Sequence, residues 1–192
     1  MRKLYNILLI FALMSQSSCT EKYESKDLKT FNLFGKVKSV IITRVLDDGE
    51  ERISETLNFS ETGDLNIDGA KILRDSIGRI SSIEYDMGGT SFKYDVDGNV
   101  IERYDWDTST IRECPTKVDS SNNILESEQY GEMGKEAGES TSASFTYEYF
   151  DIDDNNNWTM RRVIYKDLYD DSWSGRWTEK RSIEYYNMRQ SN

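Results

Sequence analysis

The 192-residue sequence predicts an all-β fold, an antiparallel meander of about ten strands forming a curled open sheet or partial barrel. Three observations carry this expectation. Apolar and polar residues alternate with period two along most of the chain after Val37. Glycine- and asparagine-rich pairs punctuate the alternation, and these supply the positive φ angles of tight hairpins. A single proline, Pro115, leaves the ladders nearly all their hydrogen-bond donors.

In order along the chain, residues 19–35 read as a polar tether, with TEKYESKDLKT at 20–30 as its charged part. Leu28, Phe31 and Phe34 stand at helical spacing within it, one turn ending at Gly35. Residues 37–46 are apolar on both parities, which predicts a central strand covered on both faces. Ile53, Leu57 and Phe59 share one parity, as do Phe92, Tyr94 and Val96, and Phe145, Tyr147 and Tyr149. Each set marks a strand with one buried face. Turns are expected at Asp48-Gly49, Thr62-Gly63-Asp64, Ile77-Gly78, Gly88-Gly89, Asp97-Gly98, Asn122-Asn123, Asn155-Asn156-Asn157 and Ser174-Gly175. The aperiodic stretch GEMGKEAGESTSAS, residues 131–144, reads as a long disordered loop. Residues 36–192 therefore form a single β-rich domain.

The tryptophans divide between core and surface on the same reasoning. Trp158 shares parity with Met160 and Ile164, which predicts a buried face, and Trp177 is in register with Ile183 and Tyr185. Trp106 shares parity with Val100 and Tyr104 but ends its strand, so its burial stays open. Trp173 sits in DDSWSGRW, where the chain turns. It is either an exposed contact for a sugar ring or partner protein, or it folds back over the sheet edge.

Four segments share a frame, FSETGDLNI (59–67), RDSIGRISSIEYD (74–86), YDVDGNVIERYD (94–105) and VDSSNNILESEQY (118–130), and FDIDDNNNWTMRRVIY (150–165) fits it with a two-residue expansion before the turn. An apolar or aromatic residue, often followed by Asp, leads into a turn at Gly or Asn, and a strand ending in an aromatic follows. This resembles the YD repeats of Rhs-type and related secreted β-rich proteins, closely over 74–107 and degenerately over 59–165. The resemblance implies curling antiparallel sheet, with Tyr94 packing and Asp95 to Gly98 making the turn. Arg74 replaces the tyrosine beside Asp75 and Gly78. The repeats are too few for a cargo shell, so the family's delivery function is not carried over.

The N-terminus begins Met1-Arg2-Lys3, continues with an apolar run at 4–14, and reaches Ser15-Gln16-Ser17-Ser18-Cys19. Cations, a short apolar run and small residues form a signal peptide over 1–18, too short to cross a bilayer. The serines before Cys19 resemble a relaxed lipobox of bacterial lipoproteins. That resemblance implies lipidation at Cys19, membrane attachment through the N-terminal lipid, and a place in the bacterial cell envelope, anchored to the outer membrane. Glu21 and Glu24 loosely resemble the acidic cue for export to the cell surface.

The formal charge is −11, and removal of Arg2 and Lys3 with the signal leaves 22 basic against 35 acidic residues. Such a surface repels nucleic acid. Cys114 is the only other cysteine, so no internal disulfide follows. Histidine is absent, which removes Ser-His-Asp and Cys-His nucleophile pairs and histidine metal sites. The Asp-rich turns at 95–99 and 151–157 could hold calcium, but glycine and the distal glutamate are misplaced. Side-chain capping of their own turns is the favoured account. No catalytic, cofactor or metal residue is assigned. The leading expectation is a non-catalytic, lipid-anchored envelope module that binds a glycan or an envelope protein. The alternatives are a carrier enclosing a lipid or small apolar ligand, and a carboxylate-based glycoside hydrolase.

Overall fold

A computed structural model describes residues 25–106, 111–131, 140–170, 172 and 174–187. One short helix, α1 (Lys26–Thr30), precedes twelve strands: β1 (Val37–Val45), β2 (Glu51–Phe59), β3 (Leu65–Asn66), β4 (Lys71–Arg74), β5 (Ile80–Tyr85), β6 (Gly88–Tyr94), β7 (Val100–Trp106), β8 (Ile111–Val118), β9 (Ile124–Gly131), β10 (Ser140–Ile152), β11 (Trp158–Asp167) and β12 (Gly175–Tyr185). They form one antiparallel sheet in the order β3-β2-β1-β12-β11-β10-β9-β8-β7-β6-β5-β4. The fold is the expected all-β meander, curled and not closed. Twelve strands replace the expected ten because β3 and β4 are too short to display a period.

The edge strands β3 and β4 are consecutive in the chain. Residues 67–70 join them through a turn in which Ala70 N donates to Ile67 O at 3.3 Å. So short a link reaches at most about 18 Å, so the two edges are held near one another and the sheet must roll. β3 and β4 do not pair with each other. Asp27 of α1 spans them instead. Its Oδ2 accepts from Leu65 N on β3 at 2.7 Å, and its two oxygens accept from Arg74 Nη1 and Nη2 on β4 at 2.5 and 2.8 Å. The carboxylate is buried.

Five turns at one end of the roll share one geometry. In 60–64, 75–79, 95–99, 119–123 and 153–157 the first residue's N–H donates to the fifth carbonyl, and the fourth N–H donates to the first carbonyl. The first side chain, Ser or Asp, accepts from the fifth N–H. The fourth residue has φ between 61° and 85° and is Gly63, Gly78, Gly98, Asn122 or Asn156. Those are the residue types that tolerate the left-handed region.

The N-terminal segment crosses these turns in sequence. Ser25 caps α1 by accepting from Leu28 N at 3.1 Å, and it donates to Gly63 O at 2.5 Å. The Lys26 and Lys29 ammonium groups donate to the carbonyls of Ile77 and Asp97. Asn32 bonds Asn123 at 3.0 Å, and Asn157 pairs with both Phe34 N and Phe34 O at 2.8 and 2.9 Å. From Ser25 onward, the stretch read as tether is therefore part of the domain. Leu28, Leu33 and Phe34 are buried with Val37, Val40, Ile42, Leu57, Phe59, Leu65, Ile80, Ile83 and Trp158. Phe31 meets the rings of Phe59 and Phe92 edge-on, each at 6.1 Å.

Bulges revise the parity reading. Ile42 faces Glu55 but Thr43 faces Ile53, so β2 carries an extra residue at Ser54 and turns Ile53 out to solvent. Ile41 is also exposed, so β1 is covered on one face only. Val96 lies in a turn and is fully exposed. Strands β9 and β10 claim residue 131 and residues 140–144 of the expected loop, and residues 132–139 lie outside the described residues.

Candidate functional site

The inner rows of the roll change character away from α1. On β12, Trp177, Glu179, Arg181, Ile183 and Tyr185 share one parity. The first three line cavities inside the roll, and the last two join the apolar core. Arg44 on β1, Arg161 on β11 and Arg103 on β7 face the same interior, with Glu55 on β2 and Glu113 on β8. A compartment of about 360 Å³ lies nearer α1, and one of about 600 Å³ lies beyond it. Both are lined by Glu55, Arg103, Glu113, Tyr147 and Arg161, so they are neighbouring parts of one lumen.

Most of these charges are partnered. Glu179 stands cross-strand from Arg44 and from Arg161. It accepts from Arg161 Nε and Nη2 at 2.8 and 2.7 Å and from Trp177 Nε1 at 2.9 Å. Burial alone would raise its carboxyl pKa; the Arg161 charge and these hydrogen bonds outweigh burial and hold it below its ordinary value. Glu113 Oε1 accepts from the hydroxyls of Ser127 and Tyr147 at 2.8 and 2.9 Å. Burial, and then the Glu113 charge, push the Tyr147 hydroxyl well above the ordinary tyrosine range. Arg103 pairs with Asp105 at 3.1 Å.

Arg181 differs. Its guanidinium lies 3.8 Å from the centre of the Trp158 ring, which Arg161 also approaches at 4.3 Å. Its Nε and Nη1 are buried without an acceptor, and among the described residues no carboxylate forms an ion pair with it. Burial, and then repulsion by Arg161, push its pKa down to about 9. It is still a cation at neutral pH. Arg44 Nε is likewise buried and unsatisfied, with its guanidinium 4.3 Å from the Trp177 ring.

Access is set by a break in the wall. β7 and β8 pair only from Arg103 opposite Glu113 to Asp105 opposite Ile111. Between that ladder and the turns, where Asn122 Nδ2 donates to Asn99 Oδ1 at 3.1 Å, the strands do not pair, and Val100, Ile101, Pro115, Thr116, Lys117 and Val118 line the smaller compartment there. Pro115 has no amide hydrogen to give a ladder and sits within the splayed stretch.

Cys19 and Trp173 lie outside the described residues. Trp158 is buried and Trp177 half-buried in the lumen. Trp106 stacks on Tyr104 at 6.2 Å and closes over Gly89, where an added Cβ would stand 2.5 Å from its ring. The Asp-rich turns spend their carboxylates on themselves. Asp95 accepts from Asn99 N and Nδ2, while Asp153 accepts from Asn155 N, Asn157 N and the Tyr185 hydroxyl. The arginines were missed although parity carried the signal, since Glu179 and Arg181 alternate in phase with Trp177, Ile183 and Tyr185. Neither the protein-family models nor the curated proteins compared with this chain gave a match.

Proposed function

We propose that this protein is a non-catalytic binding module of the bacterial cell envelope, tethered by lipid at Cys19, that holds its ligand inside the rolled sheet. The observation that carries the reading is the lumen, a cavity of ligand size that opens between β7 and β8 and is lined by aromatic rings and charged groups. Its arginines and glutamates argue against a wholly apolar cargo and for a ligand that carries a polar or anionic group. The lipid anchor rests on the sequence around Cys19.

A second reading, the glycoside hydrolase, draws on Glu55, Glu113 and Glu179 facing one lumen. Chemistry of that kind needs an acid with a raised pKa. Glu179 is shifted the opposite way and is committed to Arg161.

The test is native mass spectrometry of the full chain purified from bacterial membranes, together with assays on aryl glycosides. A retained small-molecule mass without turnover supports the binding module, and turnover abolished by Glu113→Gln overturns it. Cys19→Ala should release the protein from the detergent phase; unchanged partitioning would remove the anchor.

A further inference from the structure

This inference rests on the binding-module reading and deepens it. We propose that the compartment behind the β7–β8 opening is a site for a small organic anion, a carboxylate or phosphate on an apolar or aromatic body, anchored by Arg181. The first support is a buried cation without an ion pair, whose nearest carboxylate charges, Glu55 and Glu179, act on it only from a distance. Buried charges are ordinarily paired, because removing an ion from water costs several kcal/mol that only a close counter-charge offsets. Arg161 meets that requirement through Glu179. Arg181 meets it through neither a hydrogen bond at Nε or Nη1 nor an ion pair among the described residues. Those two nitrogens are sealed by protein, which leaves Nη2 as the edge of the guanidinium open to the compartment, and an anion there can supply the missing counter-charge.

The second support is the balance of charge. The chain as a whole is strongly acidic, yet cations outnumber carboxylates on the lining of this compartment. The acidic exterior slows the approach of an anion only weakly, because a Debye length of about 8 Å at physiological salt screens it. The third support is shape. Phe92, Tyr149 and Trp158 line the same space, and the Trp158 ring holds the Arg181 guanidinium in place before any ligand arrives. Guanidinium is the group best matched to a carboxylate or phosphate. Val100, Ile101 and Pro115 at the opening would meet the ligand's apolar body on entry.

The purely structural account of Arg181 is that it serves as a flat cation stacked on Trp158. The two accounts differ in what Arg181→Met does. Replacing a buried charge that has no ion pair by a hydrophobe of similar volume removes its desolvation cost, so a site residue gives a ligand-free melting temperature at or above the parent's. A structural cation gives a fall.

The experiment is calorimetric titration and thermal unfolding of the full-length chain in detergent with benzoate, phenyl phosphate, inorganic phosphate and the neutral benzyl alcohol. At least one organic anion should bind saturably and raise the melting temperature while benzyl alcohol does not. Which of the two binds identifies the head group, and inorganic phosphate shows whether the head group suffices. Arg181→Met should weaken that binding by about tenfold or more without a loss of melting temperature. Should R181M fail to fold, Arg181→Lys decides: weaker anion binding at an unchanged melting temperature supports the site, and unchanged affinity overturns it. No anion bound by the parent chain, or equal binding by R181M, overturns the proposal. That failure, with another ligand still retained in native mass spectrometry, removes the anion site and leaves the binding module standing.

Discussion

Trp158 was expected in the core on the strength of Met160 and Ile164, and it is there for a different reason. Ile164 is exposed, the inner row of β11 is Arg161 and Val163, and a bulge at Thr159 brings Trp158 onto that row. Parity from sequence survives only as far as the next bulge, and nothing in the residues 158–160 announces one. β12 has no such interruption beside the lumen, so its inner row was legible throughout, Arg181 included. What hid Arg181 was the prior that arginines face water. The same row fixes the response to pH. Glu179 has a folded pKa below its unfolded value, so its contribution is present above about pH 4.5 and is lost as pH falls through the lower folded value. Tyr147 and Tyr149 have folded pKa values above their unfolded ones, so their contribution is full below about pH 10 and is lost as pH rises beyond it. Chemical denaturation across the pH range should therefore show a stability loss on the acid side that Glu179→Gln reduces. On the alkaline side the loss should coincide with tyrosinate absorbance. An acid limb unchanged by Glu179→Gln would remove the buried ion pair from the account.

The five turns were the most legible elements, because their chemistry is local. An acceptor at the first position and Gly or Asn at the fourth suffice to specify the hairpin, and each turn was placed correctly at Gly63, Gly78, Gly98, Asn122 and Asn156. Helix α1 was the least legible. Leu28 stands at helical spacing with Phe31 and Phe34, but Lys26, Asp27 and Lys29 read as solvent-exposed chain, and only contact with segments 38 to 68 residues away makes them part of the fold. Asn157 links the two. It is buried, and its amide serves Phe34 N, Phe34 O and the Tyr185 hydroxyl. A buried polar group left without its partner costs about 1–3 kcal/mol, so Asn157→Ala should destabilise by roughly that amount or more, while Asn156→Gly should be close to neutral. Hydrogen exchange at Phe34 should accelerate selectively in Asn157→Ala. Equal protection of Phe34 in parent and variant would mean that the segment is held elsewhere.

Across the whole molecule, a sheet whose two edge strands are tied by a four-residue link but do not pair needs something else to hold its seam. Asp27 does this with one carboxylate shared between Leu65 N and Arg74. Removing one partner of a buried pair typically costs 3–5 kcal/mol, so Asp27→Ala should lose about that much stability. Exchange in β3 and β4 should rise first in that variant, and a uniform rise would show that Asp27 is no seam. Rolling the sheet is also what brings Arg44, Arg103, Arg161 and Arg181 from β1, β7, β11 and β12 to one interior, a convergence no local pattern could display. The central claim is that this interior binds a ligand through Arg181. Its most direct test is the nitrogen-15 NMR signal of the Arg181 Nε–H, assigned by its loss in Arg181→Met and followed during titration with benzoate, phenyl phosphate and benzyl alcohol. A ligand anchored at Arg181 gives a saturable shift of that signal with an organic anion and none with the neutral alcohol; a signal that stays fixed with every anion, or moves equally with benzyl alcohol, rules out the anion site.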